Sequence, residues 1–135
     1  MPKNKEGIQT YMETQAVTSF ATVGSGGEPH VVPVFFAYED GKMYIQTDRQ
    51  SVKVRNLLNN NNVAVAVYSG DEVVILRGKA QIVEDNEEFV RRTHDHITKY
   101  HLKLDKNGKD SLGIPLFDKS MRCVVEATST HTAFW

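Results

Sequence analysis

The sequence has few of the features that mark disulfide-stabilised, membrane or nucleic-acid-coating proteins. Its only cysteine, Cys123, excludes an intramolecular disulfide and a zinc site built from several cysteines. No apolar run approaches the roughly 20 residues that span a bilayer, and the polar residues 1–7 predict no secretory signal. The 16 basic and 17 acidic residues nearly cancel, which argues against a nucleic-acid partner. We therefore expect one cytoplasmic domain over residues 1–135.

The sequence also lacks the short motifs of common enzyme classes. It contains no P-loop, no glycine fingerprint for dinucleotides and no nucleophile elbow, so no catalytic residue is assigned. On a predicted helix, His94 and His101 share a face but lie about 10.5 Å apart along the axis, too far for one metal ion. His96 points elsewhere, so no metal site is predicted. His30 and His131 stand alone in β segments, where each either contacts a ligand or is an ordinary surface residue.

What the sequence does contain is a series of short β-rich segments separated by turn signals. Val17–Val23 predicts a strand that ends at a glycine-rich turn. His30–Tyr38 is almost continuously apolar, which predicts a strand covered on both faces. Pro33 cannot donate a ladder hydrogen bond, so this strand is either an edge or covered by something other than a strand. Glu39–Gly41 is a hairpin signal. The other predicted strands are Lys42–Thr47, Val63–Tyr68, Glu72–Glu84 and a final hairpin or closing pair, Met121–Thr128 and Thr130–Trp135.

Helical spacing appears in segments that do not alternate with the strands. Lys5–Gln15 carries apolar residues at helical spacing, as does Ser51–Asn60, and Asp85–His101 begins with a capping-box pattern. Leu102–Ser120 reads as a long surface loop that could act as a lid. Gly78, inside a long strand, predicts a bulge. Six or seven strands with two or three helices favour an antiparallel barrel over a doubly wound sheet. The apolar helix positions are Ile8, Tyr11 and Met12 in the first helix and Val54, Leu57 and Leu58 in the second.

The junction between a strand ending near Thr47 and a helix starting near Ser51 is the best candidate for a binding site. Ser51 suits an N-cap, and a helix N-terminus attracts phosphate through its free N–H groups and its dipole. Lys53 lies in the first turn, where a cation is unfavourable unless an anion binds there. Arg49 and Arg55 add positive charge nearby. The alternative is an ordinary capped surface helix.

The apolar segment Val31–Phe36 is a second candidate element. Its open side could present backbone groups to the edge of an aromatic ring, or the segment could be an ordinary core strand. Cys123 reads as a buried thiol.

The order and spacing of these segments resemble the pyridoxamine 5′-phosphate oxidase-like family of flavin-binding split barrels. The resemblance covers about Val17 to Asp85 well and the remainder loosely. It implies a mainly β fold, a six-stranded antiparallel split β-barrel, that forms a homodimer with FMN, or the deazaflavin F420, at the interface. The segments that carry it are Phe20–Val23, Gly27–Phe36, Asp40–Asp48, Ser51–Leu57, Asn62–Val67 and Leu76–Asp85.

The resemblance also implies roles for individual residues. In this chain Ser51 and Lys53 would hold the phosphate, and Val52 between them would be a further cofactor-binding residue. Gln46 and Thr47 would meet the ring or ribityl chain, and Val32, Pro33 and Val34 would line the isoalloxazine through their backbone.

The chain departs from the vitamin B6 oxidases of this family at three places. Val31 and Val52 stand where those enzymes carry arginine, and the tail Thr130–Trp135 lacks their Arg-x-His substrate motif, which argues against that activity. Trp135 could stack near a cofactor or plug the core. We expect an FMN-dependent oxidoreductase acting on a small molecule; the alternatives are an F420-dependent reductase and a non-catalytic flavin-binding or redox-sensing module.

Overall fold

A computed structural model describes residues 4–15, 17–39, 41–83 and 122–134. The predicted helix Asp85–His101, the predicted loop Leu102–Ser120 and Trp135 lie outside these residues. The described part is mostly β, with one seven-stranded antiparallel sheet and two helices. In chain order the elements are α1 (Lys5–Glu13), β1 (Val17–Val23), β2 (Pro29–Phe35), β3 (Ala37–Glu39), β4 (Lys42–Asp48), α2 (Val52–Asn59), β5 (Asn62–Ser69), β6 (Glu72–Val83) and β7 (Arg122–Phe134).

The strand order forces the sheet to curl. It runs β2-β1-β5-β6-β7-β4-β3, so β2 and β3 occupy opposite edges. Only Phe36 separates these two strands along the chain, so the two edges must come together there. The sheet therefore forms a half-barrel, which confirms the predicted antiparallel split barrel. The described residues form seven strands rather than the six of the expected barrel: the run predicted as His30–Tyr38 is divided at Phe36, whereas the last two predicted segments form a single strand.

Within one chain, that run is not buried on both faces, although the sequence predicted that it would be. The Val31 side chain is 63% exposed, whereas Phe36 is fully buried. β2 lies at the sheet edge, so Pro33 occupies a position where one side of the strand needs no ladder partner. Of the two interpretations of Pro33, the structure confirms the edge strand. A continuous apolar run could not reveal this, because it does not show where the chain changes its pairing partner.

The last strand corrects a second prediction. The segments Met121–Thr128 and Thr130–Trp135 do not form a hairpin, because β7 runs as one strand from Arg122 to Phe134. It pairs with β4 along its first half and with β6 along nearly its whole length. The ladder with β6 shifts register at Gly78, which confirms the predicted bulge. A Cβ at Gly78 would collide with the carbonyl oxygen of Thr128, so the close approach of the strands requires glycine.

The curl encloses the main core on what we call the inner face of the sheet. Phe20, Ile45 and Val125 are fully buried there, and α1 contributes Ile8, Tyr11 and Met12 as predicted. Cys123 is buried, which confirms its interpretation as a core thiol. The opposite, outer face carries a second, smaller cluster around β4. The members of the smaller cluster are Ala37, Tyr44 and Val124, with Val83 packed against them.

Candidate functional site

Helix α2 is held against the sheet by a buried polar pair. The amide Nδ2 of Asn56 donates to Thr22 Oγ1 in β1 at 3.0 Å, and both side chains are buried. Val54 and Leu57 are buried as predicted, but Leu58 is 73% exposed, so its assignment to the core face is wrong. Asn56 takes that interior place. Helical spacing could not reveal Asn56, because this pattern selects apolar residues and cannot recognise an asparagine whose partner lies in a distant strand.

The N-terminus of α2 has no side-chain cap. Ser51 is the N-cap residue, as predicted, yet its hydroxyl accepts no hydrogen bond from the first turn. Instead Ser51 Oγ donates to the carbonyl oxygen of Asp48 at 2.8 Å, and the backbone N–H of Gln50 donates to Asp48 Oδ1 at 2.7 Å. The first turn contains no acidic residue and does contain Lys53. The positive end of the helix dipole is therefore not offset by a carboxylate within that turn.

Strands β2 and β4 flank the opening of the half-barrel, which we call the split. They are not paired with each other, but they approach closely and run antiparallel. Because the strands run in opposite directions, the start of β2 lies toward the end of β4, where α2 begins. The geometry thus brings three groups of predicted residues to one region of the molecule, in β2, at the end of β4 and in the first turn of α2.

Strand geometry separates the predicted cofactor residues between the two faces of the sheet. Thr47 follows Ile45 on the inner face, whereas Gln46 follows Tyr44 on the outer face. Both Gln46 and Thr47 are buried. In β2, Val32 is the cross-strand neighbour of the core residue Phe20, so it faces inward.

By the same alternation, Val34 shares the inner face and packs against the main core, while Pro33 faces outward. A ligand on one face can therefore contact only part of the predicted set through side chains. It would have to reach the others through their backbone groups.

A buried carboxylate on the outer face was also missed. Glu126 in β7 is only 7% exposed, and its Oε1 accepts a hydrogen bond from Gln81 Nε2 at 3.0 Å. Lys42 Nζ lies 4.0 Å from the same oxygen. A buried charge is costly unless it is paired and hydrogen-bonded, and these two neighbours provide that compensation. The only sequence signal was a charged residue within the otherwise apolar stretch 123–127.

Two described grooves lie beside α1. One of about 890 Å³ runs between α1, the β3–β4 turn and β7, and is lined by Gln9, Tyr38 and Ser129 among others. A second, of about 470 Å³, lies beside Tyr11 and Glu72. Desolvation by burial, with a smaller contribution from the Glu72 charge, raises the pKa of the Tyr11 hydroxyl. Neither groove includes a predicted cofactor residue.

Two kinds of feature are absent from the described residues. None of their helices combines the length and the apolar character that crossing a membrane requires. No group of three or more histidine, cysteine, aspartate or glutamate side chains within them is arranged to hold a metal ion.

The sequence is similar to that of a protein of known activity. A dehydrotetracycline and dehydrooxytetracycline reductase from Streptomyces rimosus is 41% identical over 71 residues, which is 50% of this chain and 49% of that protein. The match therefore spans about half the length of the curated relative.

Two solved structures share the fold. A conserved hypothetical protein from Mycobacterium tuberculosis has a TM-score of 0.80 and 24% identity, covering 98% of this chain and 84% of that one. A protein described as an F420 reductase has a TM-score of 0.73 and 23% identity, with 98% of each chain covered. The family model described as pyridoxamine 5′-phosphate oxidase matches residues 5–120. A match over so much of the sequence shows that the chain belongs to the pyridoxamine 5′-phosphate oxidase-like family.

Proposed function

We propose that the protein binds FMN along the split, with the phosphate at the N-terminus of α2, and acts as a flavin-dependent oxidoreductase. The observation that carries the proposal is the uncapped first turn of α2, free of acidic residues and containing Lys53, beside the split. Such a helix end favours a phosphate through its N–H groups and its dipole. Proteins of this family generally bind flavins, which fits a phosphate-bearing ligand.

Each predicted residue then has a specific task. The first turn binds the phosphate through the backbone at Ser51 and Val52 and through the ammonium group of Lys53. The Ser51 hydroxyl already donates to Asp48, so it contributes as a donor only if its rotamer changes. Thr47 meets the ligand from the inner face, and Gln46 contributes through its backbone.

The exposed edge of β2 supports the ring. Val32, Pro33 and Val34 offer backbone groups there, because β2 has a ladder partner on one side only among the described strands. When bound, the flavin supplies hydride or electron transfer, and the protein supplies position and electrostatics. This division suits a chain in which sequence analysis assigned no catalytic acid or base.

A second candidate cofactor is F420. The similar structure described as an F420 reductase favours it, and its longer acidic tail would engage cations beyond Lys53. Arg49 is half-buried and Arg55 is exposed, both within two residues of the first turn. The relative named for reducing dehydrotetracyclines makes 5a,11a-dehydrotetracycline the first substrate to test.

The test is a titration of the purified full chain with FMN and, separately, with F420. We expect the flavin absorption bands to shift on mixing and to co-elute with the protein. Turnover with a reduced nicotinamide and a dehydrotetracycline would support an enzyme, and binding without turnover would support a flavin store or sensor. If neither chromophore is retained, the proposed function is wrong.

We also propose that the protein is a homodimer formed through the outer face of β1, β2 and β5. Cross-strand pairing places six uncharged residues together on this face. They are small or apolar, and Val31 at its edge is 63% exposed. An uncharged face can pack against its own copy around a two-fold axis. The residues are Ser19, Ala21, Val31, Pro33, Ala64 and Ala66.

Replacing Ala21 by glutamate is expected to convert the dimer to a monomer. The new carboxylate would be buried twice in a two-fold interface without a partner, which is costly. Sedimentation equilibrium measures the change, and Thr10→Glu on the exposed side of α1 is the matched control. A wild-type protein that sediments as a monomer would contradict the proposal, as would an Ala21→Glu variant that remains a dimer.

A further inference from the structure

His30 stands close to the place where α2 is attached to the sheet. It is the second residue of β2, and its cross-strand neighbour in β1 is Thr22. Thr22 accepts the hydrogen bond from Asn56 that holds α2. His30 shares the inner face with Val32, because alternate residues of a strand point the same way. His30, Thr22 and Asn56 therefore place three polar side chains at this end of the half-barrel.

The hydrogen bonding of the His30 ring determines which nitrogen carries the proton. Nδ1 is buried and has no hydrogen-bond partner among the described residues. A buried N–H group without an acceptor is rarer in proteins than a buried acceptor without a donor. The neutral ring therefore carries its proton on Nε2. Nε2 is not among the buried unpartnered atoms, so the ring presents an N–H donor on its accessible side.

The direction of β2 shows where this donor lies relative to the split. Because β2 and β4 run antiparallel, residues near the start of β2 lie toward the end of β4. That is the end at which Ser51 begins α2. His30 thus lies at the phosphate end of the proposed cofactor site, and Val34 lies further toward the ring.

We propose that His30 is a phosphate-binding residue, whose Nε2–H donates to the phosphate ester of the bound cofactor. This inference rests on the proposed function and adds a ligand from β2 to those from α2. A hydrogen bond from N–H to a charged phosphate oxygen is stronger than one to a neutral acceptor. The contact would join the two sides of the split through the ligand, since His30 and Lys53 lie on different elements.

The test compares FMN with riboflavin, which lacks the phosphate, on three variants. His30→Phe removes both nitrogens and is expected to weaken FMN binding about tenfold or more, with riboflavin binding unchanged. His30→Gln places an amide N–H near the Nε2 position and should retain most of the FMN affinity. His131→Phe, on the exposed part of β7, is the matched control and should bind FMN like the wild type.

A spectroscopic measurement separates this inference from the proposed function. In ¹⁵N spectra of histidine-labelled full chain, the His30 signal, assigned by its loss in His30→Gln, should show an unprotonated Nδ1. FMN or inorganic phosphate should shift its Nε2 resonance. If the wild type binds FMN but His30→Phe binds it equally well, or if riboflavin and FMN weaken equally, the role of His30 is overturned while the proposed function stands.

If the wild type binds neither FMN nor F420, the proposed function fails. The phosphate titration then decides the role of His30: a shift of its Nε2 resonance supports it, and an unchanged resonance overturns it.

Discussion

Replacing Phe36 by alanine is expected to lower the free energy of unfolding by about 3–5 kcal/mol. Phe36 is fully buried and is the single residue between β2 and β3. These two strands form the opposite edges of the sheet. Its truncation would leave a cavity at the point where the two sheet edges meet. The loss of stability has two sources: the favourable transfer of the phenyl ring from water to the core is removed, and a cavity remains in its place. Urea unfolding followed by circular dichroism measures it.

The matched control is Leu58→Ala on α2. Leu58 is 73% exposed, and alanine is at least as good a helix former, so stability should change by less than about 0.5 kcal/mol. Equal effects of the two substitutions would show that Phe36 does not close the half-barrel. A large effect at Leu58 would instead show that its exposed side chain is covered in solution.

Local signals predicted most of the elements. Val17–Val23 has the bounds expected for β1, because the Gly24–Pro29 cluster supplies the turn that stops it. Gly41, with φ of 84°, supplies the positive angle that the hairpin between β3 and β4 needs. Pro33 limited β2 to an edge strand or a strand covered by something other than a strand. In each case one residue imposes its own backbone constraint, so the neighbouring sequence was enough.

The failures concern pairing partners distant along the chain. Phe36 divides an apolar run that looked continuous, because β2 pairs with β1 while β3 pairs with β4. β7 passes Ser129 and Thr130 without turning, because the ladder with β6 holds the strand on both sides of the bulge at Gly78. The sequence had suggested a hairpin or a closing pair of strands there, but pairing with a distant strand keeps β7 continuous.

The candidate site likewise combines features that the local sequence predicts with features that depend on distant parts of the chain. The acid-free first turn of α2 follows from the sequence alone, since a helix N-terminus is a local feature. The buried pair of Asn56 and Thr22 spans 34 residues, so no local pattern could indicate it. The opposite orientation of Gln46 and Thr47 is implicit in any strand, yet which of them faces the core depends on how the sheet curls.

Replacing Lys53 by glutamate is expected to weaken FMN binding by roughly 10- to 100-fold. The substitution removes a charge-assisted hydrogen bond worth about 1.5–3 kcal/mol, and each 1.4 kcal/mol changes an affinity about tenfold. Fluorescence titration of FMN measures the dissociation constant. The variant should remain folded, because an acidic residue in the first turn of a helix is itself favourable by about 0.3–1 kcal/mol.

Measuring both the FMN affinity and the stability of the variant distinguishes a binding defect from a folding defect. A variant that loses FMN because it unfolds would lose both affinity and stability, whereas the phosphate role predicts loss of affinity alone. Arg55→Glu is the matched control, because Arg55 is exposed and lies beyond the first turn. It should leave FMN affinity unchanged and weaken only a ligand with a longer acidic tail, such as F420. Unchanged FMN affinity in Lys53→Glu would show that the phosphate lies elsewhere, since a carboxylate at that position must repel an anion bound to the first turn.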